Sequence, residues 1–92
     1  MPLFALICLD KPGHADLRAG TRADHLAYVA ETGVVVQAGP LLDDAGEGMI
    51  GSLIILDVVD RAAATAWAAA DPYARAGLFD TVVLHPWKKV IG

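Results

Sequence analysis

A chain of 92 residues, 55 % hydrophobic and 20 % charged with a net charge of −4, is read as a single domain over residues 1–92. The acidic balance, with no stripe of Lys and Arg to neutralise phosphates, argues for no nucleic-acid partner. The single cysteine, Cys8, excludes an internal disulfide and fits a reducing compartment.

In chain order, Leu3 to Leu9 is a short apolar run stopped by Asp10-Lys11-Pro12-Gly13, which predicts a central strand. Cys8 lies inside it, so a buried, inert thiol is expected. The run starts at once, without a basic leader, and no apolar stretch approaches the roughly 18 residues of a span. No membrane partner is therefore expected, and the cytoplasm is the expected location. His14 to Thr32 predicts a helix, with Asp16 as N-cap, Gly20-Thr21 as a bend or second start, and Gly33 closing it. Leu26, Val29 and Ala30 compose its apolar face. Arg18, Arg22 and His25, at i, i+4 and i+7, line one side.

Val34 to Ala38 predicts a second strand, broken by Gly39-Pro40. Leu41 to Gly48 reads as a polar turn and Met49 to Val59 as a third strand, hairpin-paired with the second. Asp60 is the N-cap expected for a helix over Arg61 to Ala70, whose one large apolar anchor is Trp67, and Asp71-Pro72 stops it. Tyr73 to Gly77 is a linker or a single helical turn. Phe79 to Trp87 is the last strand, with Lys88 to Gly92 a tail.

The order β-α-β-β-α-β predicts a ferredoxin-like α+β sandwich: one four-stranded antiparallel sheet with two helices on one face. The strands do not alternate cleanly between apolar and polar residues. The face away from the helices therefore needs a cover, which a second copy packed sheet to sheet would supply.

The three histidines have no metal-ligand spacing, and HExxH and CxxC are absent, so neither a metal nor a cofactor is expected. Asp43, Asp44 and Glu47 lack a calcium-loop spacing, and Ser52 lacks the GxSxG frame of a nucleophile elbow. His25 read alone is a helix-surface histidine. The two arginines beside it raise its interest, as does the topology, which can bring the carboxylate ending the second helix to the same rim of the sheet. A carboxylate there would orient the imidazole as a general base. Gly39 could also let a ligand approach the backbone.

Arg22-Ala-Asp-His25-Leu-Ala-Tyr28, then Gly33, Ala38-Gly39-Pro40, Asp71-Pro72-Tyr73 and Gly77-Leu78-Phe79 together resemble the YciI-like, or YCII-related, family. The resemblance runs nearly end to end, to His85-Pro86-Trp87. It implies a homodimeric α/β barrel with a pocket whose catalytic pair corresponds to His25 and Asp71. Arg22, Arg18, Gly39, Pro40 and Tyr73 then become substrate-binding candidates. One family member, from chlorinated-aromatic degradation, is a dehydrochlorinase. Three functional readings stand: a cofactor-free lyase or isomerase acting on a small molecule through a His-Asp dyad; a non-catalytic module that binds a small ligand or a partner; and a cofactor-free monooxygenase, whose motifs are not apparent.

Overall fold

A computed structural model of the chain describes residues 2–92. Its elements are β1 (Leu3–Asp10), α1 (Ala15–Thr32), β2 (Val35–Leu42), β3 (Met49–Asp57), α2 (Arg61–Ala70), the single turn α3 (Pro72–Arg75) and β4 (Phe79–Trp87). The strands form one antiparallel sheet in the order β2-β3-β1-β4. This is the ferredoxin-like arrangement, with β1 and β3 central as their apolar runs require.

Side chains alternate across the sheet. Phe4, Leu6 and Cys8 of β1 and Ile54 and Leu56 of β3 turn toward the helices and form the core with Val58, Ala64 and Trp67. The pairing of Leu6 with Ile54 and with Leu84 fixes this face across three strands. Cys8 is buried as expected, and burial, reinforced by the negative charges of Asp71 and Asp10, pushes its thiol up to about 12. Gly51 has a steric reason: a Cβ there would collide with the carbonyl oxygen of Cys8 on the neighbouring strand.

Several elements differ in extent or capping from what the sequence predicts. The first helix is continuous through Gly20-Thr21, and His14 occupies the N-cap position, with Asp16 inside the first turn. Gly33 closes it in the left-handed region, φ 66°. The residues that α1 buries are Arg18 and His25, while Leu26 is 45 % exposed and Ala30 is exposed. The apolar stripe is too thin to dominate, and both polar residues find internal partners. Gly39-Pro40 does not break the second strand, which runs to Leu42. β2 is an edge strand, where a proline without an N–H is tolerated, and the turn contracts to residues 43–48. The third strand ends at Asp57, two residues early. Of the two readings of the segment after Asp71, a linker or a helical turn, the helical turn is the one present, and it opens at Pro72.

The β2–β3 pairing shifts register twice, at Val35/Gln37 and at Leu41/Leu42, and the first shift sets the facing of β2 at the site. Val35 pairs with Leu56, but Gln37 pairs with Ile55, so Val36 is an extra residue. Such a bulge inverts the facing of every side chain beyond it. Ala38 and Pro40 consequently pair with Ile54 and Ser52 on the helix side of the sheet.

Candidate active site

The site grows from the two ends of the helical layer. Asp60 caps α2, accepting the N–H of Ala63 at 2.8 Å, and Pro72 ends it after Ala70. Asp71 lies between α2 and α3 and is fully buried. Its Oδ1 accepts the backbone N–H of Tyr73 at 3.0 Å, capping α3. The same oxygen meets Nδ1 of His25, from the middle of α1, at 2.8 Å. An ionised carboxylate only accepts, so Nδ1 carries the hydrogen, and in the neutral imidazole Nε2 keeps its lone pair. Among the described residues nothing hydrogen-bonds Nε2.

The imidazole lines a cavity of about 180 Å³ between α1 and the β2–β3 side of the sheet. Arg18, Arg22, His25 and Leu26 form its helix wall; Ala38, Gly39, Pro40, Ser52 and Ile54 form the sheet wall; Met49 and Tyr73 complete it. Of the seven sequence-predicted site residues, six line this cavity. The seventh, Asp71, stands behind His25. A comparable cavity of about 150 Å³ holds one benzene ring, so the space suits a single small ring.

Tyr73 packs its ring against the imidazole, centroids 4.2 Å apart and planes 20° from parallel. The Arg18 guanidinium carbon sits 4.7 Å from the same ring, a cation–π distance. Burial pushes the Tyr73 hydroxyl up, against the opposing pull of Arg18 and Arg22, so the phenol is a neutral donor at pH 7.

Two site residues were missed in the sequence. Arg18 is buried and held by Asp10: Nε donates to Oδ2 at 2.6 Å and Nη2 to Oδ1 at 3.0 Å. Burial opposes the guanidinium charge, but the Asp10 bonds and charge outweigh it and raise its pKa further. Nη2 also donates to Ser52 Oγ at 2.8 Å. Ser52 accepts there, which leaves its own hydroxyl hydrogen free to turn toward the cavity. Arg18 has five N–H donors, and besides Asp10 and Ser52 its guanidinium has the Tyr73 side chain as a partner. Asp10 was legible only as the end of a strand, and Ser52 only as a serine outside a known motif. A buried Arg18 was the missing signal, since a buried guanidinium must have a carboxylate beside it. Arg22, in contrast, is exposed at the mouth and forms no ion pair among the described residues. His14 does not line the cavity; its Nδ1 is bonded to the Pro12 carbonyl.

Fold and cavity together define a ferredoxin-like α+β protein with a buried His-Asp pair at a small pocket. The YCII-related domain model matches residues 2–88, and the chain belongs to that family. It is 34 % identical to protein YciI of Escherichia coli O6:H1 over 96 % of this chain and 98 % of that one. It is 33 % identical to an uncharacterized protein of Haemophilus influenzae, over 95 % and 97 %. Among solved structures it is similar to the 5-chloro-2-hydroxyhydroquinone dehydrochlorinase TftG of Burkholderia phenoliruptrix AC1100, in complex with 2,5-dihydroxybenzoquinone. There the TM-score is 0.87 and the identity 28 %, covering 94 % of this chain and 93 % of that one.

Proposed function

We propose that the protein is a cofactor-free enzyme of proton transfer acting on a small oxygenated ring, with His25 as general base and acid and Asp71 holding its tautomer. The observation that carries this reading is the 2.8 Å bond from His25 Nδ1 to a buried carboxylate, with Nε2 left unpaired at a ring-sized cavity.

In the proposed step Nε2 takes a proton from an sp3 ring carbon beside a carbonyl, as in the keto tautomer of a hydroxylated ring. The electron pair of that C–H bond moves into the ring and charge builds on a ring oxygen. The Ser52 hydroxyl and the positive charge of Arg18, both at the cavity wall, stabilise that oxygen, and Asp10 keeps Arg18 in place. An isomerisation ends when the imidazolium returns the proton at another position. In a dehydrochlorination the chlorine stands on the sp3 carbon of the keto tautomer: Nε2 takes a ring hydroxyl proton, the O–H electron pair moves through the ring to form a carbonyl, chloride leaves with the C–Cl electron pair, and the imidazolium gives its proton to water. Neither route changes the net oxidation level of the substrate, so neither calls for a redox cofactor. The dehydrochlorinase activity of TftG supports the second route by similarity. Arg22 at the mouth favours an acidic ring. The enzyme works as a homodimer, each copy covering the other's open sheet face.

The test is turnover on a panel of chlorinated and unchlorinated hydroxyhydroquinones and small cyclic enols. His25→Ala is expected to lower kcat by about 10²–10⁴, and Asp71→Asn to lower it while leaving the fold intact. A wild-type activity that survives both substitutions, or tight binding with no turnover anywhere on the panel, would leave a ligand-binding module in place of the enzyme.

A further inference from the structure

We propose that Tyr28, Thr32 and Trp67 form a clamp that sets the spacing of the His25–Asp71 pair, with Tyr28 as a positioning residue; the inference rests on the dyad reading above. Tyr28 follows His25 by three residues on α1, about 4.5 Å along the axis. Trp67 precedes Asp71 by four residues at the end of α2. The Tyr28 hydroxyl donates to the Trp67 carbonyl at 2.9 Å. That carbonyl also accepts the backbone N–H of Asp71 at 3.1 Å. The indole Nε1–H of Trp67 donates to Thr32 Oγ1 at 2.9 Å, and the Thr32 hydroxyl donates back to the Tyr28 carbonyl at 2.9 Å. The rings of Tyr28 and Trp67 lie 4.9 Å apart.

A buried indole N–H needs an acceptor, which accounts for Thr32 on structural grounds alone. It does not account for Tyr28. The Trp67 carbonyl already has its helical donor in Asp71, so the tyrosine is a second donor on a satisfied acceptor. What the second bond adds is a tie from α1 to the carbonyl that holds the Asp71 backbone. Tyr28 to Trp67 and His25 to Asp71 are thus two rungs between the same two pieces of chain. Burial, and then the charge of Asp71, push the Tyr28 hydroxyl up, which keeps it a donor. With the outer rung cut, α1 is free to shift against the end of α2, and the inner rung lengthens.

The experiment reads the His25 Nδ1–H directly by proton NMR, its resonance assigned by its absence in His25→Ala, and follows its exchange with water. Tyr28→Phe keeps the ring and removes the donor; exchange is expected to quicken about tenfold, as for loss of one supporting hydrogen bond. Thr32→Val, which removes the indole's acceptor and keeps the shape, is expected to act in the same direction and serves if the first variant does not fold. Val58→Ala, a core truncation outside both helices, is expected to lower the melting temperature and leave the exchange unchanged. Wild-type exchange in folded Tyr28→Phe or Thr32→Val overturns the clamp. The measurement uses no substrate, so absent turnover in the wild type would sink the enzyme reading and leave this result standing.

Discussion

At the scale of single residues, Asp71 Oδ1 serves two roles, capping α3 through the Tyr73 N–H and receiving His25 Nδ1. Its Oδ2 is buried without a hydrogen-bond partner among the described residues. An asparagine there keeps the shape and can still accept both N–H groups on its Oδ1, but it takes away the negative charge that steadies the imidazolium formed when His25 holds a proton. The loss should therefore appear in kcat rather than in stability. Arg22 makes the opposite case. It is exposed and unpaired, so Arg22→Ala should raise KM for an acidic substrate about tenfold and leave kcat nearly unchanged, the signature of lost uniform binding; steady-state kinetics on the two parameters checks it. Asp10→Asn removes the charge that holds Arg18 and is expected to lower kcat without touching the dyad; an unchanged kcat would show that Arg18 does not depend on that carboxylate.

At the scale of elements, the strand and helix order was readable because the apolar runs are separated by strong punctuation: Lys11-Pro12-Gly13, Gly33 and Asp71-Pro72. Two features were not. A proline in a strand reads as an end until the strand is known to lie at an edge, and only the pairing with β3 shows that for Pro40. The bulge at Val36 leaves no compositional trace, yet it decides that Ala38 and Pro40 face the cavity. The helix periodicity also pointed two ways. Leu26, Val29 and Ala30 gave an apolar stripe, and Arg18, Arg22 and His25 gave a polar one. Only the partners of Arg18 and His25, distant in sequence, settle which turns inward. The α2 cap was legible, since Asp60 precedes an alanine-rich run. Asp60→Ala is expected to cost about 1 kcal/mol, read as a lower midpoint in urea with an unchanged slope.

At the scale of the whole molecule, the sheet face away from the helices carries Leu9, Leu53, Val83 and Trp87, all exposed in the single chain. Such a patch on a small protein signals a partner surface. Leu53→Asp, near its centre, should yield a monomer by light scattering where the wild type is a dimer; a wild type already monomeric would refute the proposed pairing. Stability should also fall at high pH. The Cys8 thiol is raised from 9.0 to about 12, and Tyr28 and Tyr73 are raised as well. Between the unfolded and folded values the native state holds protons that the unfolded state has lost. The cysteine's contribution is thus complete below pH 9 and disappears as pH climbs toward 12. The melting temperature followed over that range checks this, and at pH 8 the native thiol should resist disulfide reagents until the chain unfolds.

The central claim, that His25 moves a proton to and from a bound ring, is tested most directly by hydrogen exchange on a small ring used as a probe. With 2,5-dihydroxybenzoquinone in D2O, followed by proton NMR, the wild-type protein should speed the replacement of ring hydrogens by deuterium, and His25→Ala should return the rate to that of buffer. Acceleration that persists in His25→Ala, or none in the wild type with the ring bound, would contradict the account.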